Sequence, residues 1–156
     1  MFHIATTEEK GRGLFAKRKI FKDEHVIEIK SVPVDVDAVE KEDEQYLLQV
    51  DTDRYVRARN SAIFINHSCE PNTGIRENSS IVAIKDIEED EELCFDYSTT
   101  MDEDDWTMEC RCGNKNCRGL IRDFKYLSNK QKVEYLRKDI VMSFIAEQYD
   151  IEKISF

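Results

Sequence analysis

No stretch of this 156-residue chain approaches the ~20 consecutive apolar residues that a membrane-crossing helix requires. Only 2 prolines and 5 glycines occur, too few for a linker-like or fibrous chain. Lys and Arg number 23 against 33 Asp and Glu, which disfavours direct nucleic-acid binding, because phosphate contacts need clustered positive charge. The opening Met1-Phe2-His3-Ile4 lacks the basic-then-apolar pattern of an export signal, and 5 cysteines cannot all pair. The expectation is a soluble intracellular chain, cytoplasmic or nuclear, with reduced thiols instead of a disulfide framework.

What is present is enough for a core. Hydrophobic residues make up 40% and aromatics 10%, which suits one compact domain with a short appendage. The net charge of -10 is concentrated: residues Lys85 through Glu109 carry 1 basic and 12 acidic side chains. Such a run is either a solvated face or a rim whose field attracts a basic partner.

Between Leu14 and Tyr97, brief β-branched and aromatic stretches alternate with polar clusters, the pattern of short strands. Strands are expected at Gly13–Ala16, His25–Ile29, Arg54–Ala58, Thr73–Arg76, Ile81–Ile84 and Leu93–Tyr97. Val39, Leu47 and Leu48 among acidic residues suggest a helical turn within Asp37–Val50. Towards the C-terminus, Ser128 followed by Gln131 has the form of a capping box, and Val133, Leu136 and Ile140 recur at helical spacing. The expected fold class is mostly β with short helices and a helical C-terminal tail.

Cys110-Arg111-Cys112-Gly113-Asn114-Lys115-Asn116-Cys117 places three thiols in eight residues, with Gly and Asn permitting sharp turns. That density suits wrapping around a tetrahedral Zn²⁺, with Arg111, Lys115 and Arg118 offsetting thiolate charge. Cys94 lies in an apolar stretch and reads as a core residue, so Cys69, in a polar turn, is the better fourth ligand. Four thiolates would close the coordination sphere and make the zinc structural.

Three further strings occur in a telling order: Gly11-Arg12-Gly13-Leu14-Phe15-Ala16, then Phe64-Ile65-Asn66-His67-Ser68-Cys69-Glu70-Pro71-Asn72, then Glu92-Leu93-Cys94-Phe95-Asp96-Tyr97. With Cys110–Gly119 they resemble the motifs of SET-domain protein-lysine methyltransferases that end in a post-SET zinc segment. The resemblance implies a fold of small β-sheets with a pseudoknot, and a division into a SET domain (1–108), a post-SET zinc-binding segment (109–122) and a C-terminal helical extension (123–156). It implies S-adenosylmethionine at Lys10, Gly11, Arg12, Gly13 and Leu14, where glycines let backbone approach a ligand closely. Asn66 and His67 match the pair that hydrogen-bonds and stacks near the adenosine, and Leu120 matches an apolar residue packed on the cofactor. Tyr97 matches the catalytic tyrosine, which also borders the cofactor. Tyr46 matches a second channel tyrosine, and Phe95 a position that tunes how many methyl groups are added.

Two positions depart from the common pattern: Ile63 stands where many members have arginine, and Arg12 where tryptophan is common. The resemblance implies methyl transfer to the ε-amine of lysine in a protein or peptide, histone or another basic protein, by a monomer or homodimer. A non-catalytic peptide-binding module of the same fold is the alternative; Tyr97, Asn66 and His67, all present, favour the enzyme.

Overall fold

Apolar stretches interrupted every few residues by charge cannot build one wide sheet, and the chain folds into five small ones. The computed structural model describes all residues, 1–156. Strands β1 (Phe2–Thr6) and β2 (Arg12–Ala16) form an antiparallel hairpin in which Ile4 faces Leu14. Strand β3 (His25–Glu28) pairs with β9 (Ser80–Ala83), which pairs in turn with β8 (Thr73–Arg76). A third sheet has the order β4-β6-β5, from β4 (Ser31–Val34), β5 (Leu47–Asp51) and β6 (Arg54–Ala58). Two short pairs complete the set. Strand β7 (Asn66–His67) runs parallel to β10 (Cys94–Phe95), and β11 (Met108–Glu109) runs antiparallel to β12 (Leu120–Ile121).

The mostly-β expectation holds, and Arg54–Ala58 and Thr73–Arg76 have the anticipated bounds. The stretch Leu93–Tyr97 differs. Only Cys94 and Phe95 pair, because the Asp96 carboxylate accepts the Ser98 N–H at 3.0 Å and turns Tyr97–Thr100 into a 3₁₀ segment. The helical turn anticipated in Asp37–Val50 is present as 3₁₀ segments Val36–Ala38 and Lys41–Tyr46. Leu47 and Leu48, however, belong to β5, opposite Arg57 and Val56. Strand β4 carries Pro33, which is tolerated because β4 is an edge and a missing N–H there breaks no interior ladder.

The core runs from Leu14, Ile65 and Leu93 through Ile75 and Ile81 to Phe124 and Tyr135 in the C-terminal part. Helix α1 (Asn129–Arg137) starts at Ser128, which accepts the Gln131 N–H while Gln131 reaches back to the Ser128 N–H, the anticipated capping box. It buries Val133 and Tyr135; Leu136 packs at the core edge and Ile140 is almost wholly enclosed. Helix α2 (Ser143–Ala146) follows, with the Met142 N–H donating to the Thr99 carbonyl at 3.0 Å. The tail is thereby part of the body.

Gly74 in β8 is where tail and sheet come closest: a Cβ there would sit 2.4 Å from Ile140 Cγ2. Gly74→Ala is expected to cost about 1–3 kcal/mol by overpacking, read as a lower urea midpoint. In an Ile140→Ala background the same change is expected to cost much less.

Candidate active site

The parallel pairing of β7 and β10 sets Asn66 opposite Cys94 and His67 opposite Phe95. Asn72 secures that register from below. Its Oδ1 accepts the Cys94 N–H at 2.9 Å, and its Nδ2 donates to the Glu92 carbonyl at 2.8 Å. The Thr73 hydroxyl donates to the Cys94 carbonyl at 2.8 Å. Tyr97 emerges at the end of this pair, its ring 4.8 Å from Phe95 and 5.4 Å from His67. The Tyr97 hydroxyl donates to the Ile65 carbonyl at 2.9 Å. Burial, then the nearby Cys94 and Glu92, pushes its pKa well up, so the group is a fixed phenol and not a proton-accepting phenolate.

The His67 ring is buried. Its Nδ1 accepts the Tyr97 N–H at 3.1 Å, and its Nε2 lies 3.4 Å from Cys69 Sγ. Burial pushes its pKa down to about 4 against the pull of Asp96, so the imidazole is neutral near pH 7. With both nitrogens engaged and 5% of the residue exposed, little ring surface is left for stacking on a ligand.

The glycine turn meets this pair from the other side. The Thr7 N–H donates to the Gly11 carbonyl at 2.6 Å, and Gly11 takes φ 73°, a conformation that glycine adopts without strain. A Cβ on Gly13 would lie 2.7 Å from Glu92 Oε1 and 3.2 Å from Asn66 Nδ2, so a side chain there would displace the ends of both. Asn66 Nδ2 donates to the Arg12 carbonyl at 3.1 Å and to Glu92 at 2.8 Å, leaving its Oδ1 free to accept. Lys10 pairs with Glu92 at 2.8 Å; burial disfavours its charge, but the Glu92 bond outweighs that and raises its pKa. The Arg12 guanidinium lies 4.5 Å over the Phe64 ring. Lys10, Arg12, Gly13 and Asn66 therefore converge, whereas Leu14 turns its side chain into the core.

Asp96 lies beneath, 1% exposed. Arg118 grips it with two bonds of 2.7 and 2.8 Å, and the Tyr135 hydroxyl adds a third at 3.0 Å. Nothing in the spacing of the sequence announced Tyr135 as a polar partner. It is a helix residue whose apolar body is buried and whose hydroxyl happens to reach a charge.

Arg118 also leads to the thiol cluster. The sulfurs of Cys69, Cys110, Cys112 and Cys117 all lie within 4.8 Å of one another, and Cys69 and Cys110 are 3.8 Å apart. Tetrahedral zinc with Zn–S of about 2.3 Å needs sulfurs about 3.8 Å apart, so the four fit such an ion. Gly113 and Gly119, at φ 76° and 73°, make the turns, and Asn114 ties the segment to Ser68 at 2.8 Å. Burial pushes Cys69 up to about 11 and Cys110 higher still. Burial also acts on Cys112, but the backbone N–H groups of Cys69 and Asn114 outweigh it and bring that thiol down to about 6. A bound cation would draw the protons from Cys69 and Cys110 that burial otherwise holds in place. Cys94 stands apart, its sulfur 3.7 Å from Lys10 Nζ, and burial pushes it up to about 12.

Two sequence-selected residues sit away from this centre. The Tyr46 ring lies 5.9 Å from the Arg57 guanidinium, and none of its ring contacts reaches Tyr97. Leu120, in β12 opposite Glu109, is 48% exposed, an apolar side chain left open beside the thiol cluster.

The family model for the SET domain matches residues 11–98. The chain belongs to the SET-domain family. This SET-domain chain is 34% identical over 129 residues to Histone-lysine N-methyltransferase 2B of Homo sapiens. It is 36% identical over 128 residues to Histone-lysine N-methyltransferase SETD1B of Homo sapiens. These alignments take in 71% and 70% of this chain but only 5% and 6% of those proteins. Its fold is similar to that of the methyltransferase domain of human SETMAR, with a TM-score of 0.62 and 26% identity over 78% of this chain and 58% of that one. It is also similar to KRYPTONITE in complex with mCHG DNA and SAH, with a TM-score of 0.64 and 24% identity over 78% of this chain and 29% of that one.

The geometry of the four thiols yields a direct test. Added zinc is expected to bind at one equivalent per chain, measured by elemental analysis after gel filtration, and Cys69→Ser is expected to lose it. Full retention of zinc by Cys69→Ser would remove Cys69 from the ligand set.

Proposed function

We propose that the protein is an S-adenosylmethionine-dependent protein-lysine N-methyltransferase with a structural zinc at Cys69, Cys110, Cys112 and Cys117. The observation that carries this reading is Tyr97, a half-buried phenol fixed against the Ile65 carbonyl beside Phe95, at the end of the β7–β10 pair whose Asn66 is bonded to the Arg12 carbonyl of the glycine turn. Family membership supports it, as does the SAH in the KRYPTONITE structures, one of which also holds an H3(1–15) peptide. In this reading residues 1–108 are the catalytic body, 109–122 the zinc segment and 123–156 a helical buttress.

S-adenosylmethionine, when bound, supplies a methyl group on a positively charged sulfur, already activated for displacement. The chain's part is alignment and deprotonation of the acceptor. A free lysine amine has a pKa of ~10.4 and is mostly charged at neutral pH. Enclosure against Phe95 and Tyr97 disfavours that charge, so the amine enters neutral, its proton left with bulk water. The Tyr97 hydroxyl gives its hydrogen to Ile65, so its lone pairs are free to accept an amine N–H and aim the nitrogen lone pair. Gly11, Arg12 and Gly13 offer backbone to the cofactor, Asn66 Oδ1 offers an acceptor, His67 contributes through its main chain, and Leu120 is an apolar cover. Tyr46, whose ring lies by Arg57, is given no part in this step.

A basic substrate segment suits the charge distribution. Asp102, Glu103 and Asp104 join Asp35, Asp37 and Asp53 around an open groove of about 650 Å³ that has no basic lining residue. KM for a lysine-bearing basic peptide is expected to rise with salt, since ~0.15 M ions shorten the electrostatic range to ~8 Å. Replacing Asp102 through Asp105 by their amides should flatten that dependence; an unchanged salt profile would return the acidic run to a solvated face.

Intact-mass analysis of such a peptide tests the activity itself. The wild type is expected to add methyl groups beyond the first, because Phe95 offers no hydroxyl to hold a water in the space a methylated amine needs. Phe95→Tyr should stop mostly at monomethyl-lysine. Tyr97→Phe should slow every transfer by roughly 100-fold, the scale of a misaligned reacting group. No methyl incorporation by the wild type, with cofactor bound, would favour a peptide-binding module.

A further inference from the structure

The His67 ring bridges the thiol cluster and Tyr97. We infer that His67 is a positioning residue that couples the thiol cluster to Tyr97, so that a metal held by Cys69 sets how firmly Tyr97 is held. The inference rests on the zinc reading proposed above.

The hydrogen-bond pattern leaves the ring one arrangement. The Tyr97 backbone N–H points at Nδ1 from 3.1 Å, so Nδ1 must present a lone pair. The ring proton then sits on Nε2, which faces Cys69 Sγ at 3.4 Å. Asp96 does not compete: its Oδ1 is 3.7 Å from Nδ1 and already accepts from Ser98 N–H and Arg118. With 3% of the side chain exposed, water has little access to replace either bond.

Cys69 Sγ receives a second donor, the Arg118 backbone N–H, also at 3.4 Å. Two N–H groups converging on one sulfur are the arrangement that supports a metal-bound thiolate and fixes its direction. A sulfur held by a metal cannot rotate about its Cα–Cβ bond and carries more negative charge, so it is the better and steadier acceptor. Without a metal that anchor of the ring loosens, and the Tyr97 N–H is bonded to a ring free to tilt. The other anchors of Tyr97 remain, namely its hydroxyl on Ile65 and the Phe95 contact. The expected consequence is a loss of turnover and not of fold.

Cobalt(II) in place of zinc makes the sulfur visible through its thiolate-to-metal charge-transfer band. His67→Phe is expected to keep one metal per chain and to move that band to lower energy, because the sulfur loses a donor. Turnover on a lysine peptide should fall about tenfold, the usual scale for a partner of a metal ligand, while KM for S-adenosylmethionine changes by less than about threefold. His67→Gln, whose amide N–H can reach toward the sulfur, should recover part of both effects. An unmoved band, or a moved band with unchanged turnover, would overturn the coupling. A measurement on the wild type covers the case in which the variants do not fold. With cadmium-113 bound, the His67 Nε2 proton should show scalar coupling to the metal across the sulfur, and a proton found on Nδ1 instead would overturn the inference. A wild type that takes up neither cobalt nor cadmium would defeat the zinc reading itself, a result distinct from failure of the His67 link.

Discussion

A single buried carboxylate organises the lower half of this molecule. Asp96 is 1% exposed, and an isolated charge in that position would cost several kcal/mol. The fold tolerates it because Arg118 binds it through both guanidinium nitrogens while the Tyr135 hydroxyl and the Ser98 N–H fill the remaining acceptor positions. Each partner comes from a different stretch: Ser98 follows the tyrosine motif, Arg118 follows Cys117, and Tyr135 belongs to α1. The charge therefore draws body, cysteine segment and tail to one point, with Arg118 as its only cationic hydrogen-bond partner. Arg118 contributes twice, since its side chain serves Asp96 and its backbone N–H serves Cys69.

Above that network the site is built by close approach of backbones instead of by a large cavity. Gly13 leaves room for the side-chain ends of Glu92 and Asn66, and Asn72 holds the Glu92–Cys94 stretch by both ends of its amide. Polar side chains here are satisfied mainly by main-chain groups, which fixes strand register as firmly as side-chain packing does. Tyr97 inherits its position from this register. A protonated phenol, an apolar neighbour and a neutral imidazole suit a reaction that depends on alignment and on a dry acceptor amine, with no acid or base of shifted strength required.

Much of this is legible in the sequence. The four motifs carried the family, β-branched alternation marked Arg54–Ala58 and Thr73–Arg76, and Ser128 with Gln131 marked the start of α1. The density of Cys110, Cys112 and Cys117 indicated a thiol cluster, and the polar setting of Cys69, unlike that of Cys94, placed it with them. Those signals are local: residue type and short-range spacing are enough to express them. Where local signals conflicted, the reading was less sharp. Leu47 and Leu48 sit among acidic residues with no clear period, and Pro33 obscures β4, so both strands are defined by their pairing with β6.

The amino-acid order by itself determined which chemistry is available: glycines for close approach, thiols for a cation, a tyrosine and an amide for a site. Only the tertiary structure decided which of those groups face one another. It turned the His67 ring inward between Tyr97 and Cys69, gave Asp96 to Arg118 and Tyr135, placed Arg12 over Phe64, and left Tyr46 beside Arg57. The physical reason is that a hydrogen bond or ion pair between residues far apart in the chain depends on ångström-scale placement of two backbones. That placement comes from packing the whole core, and no short window of sequence contains it.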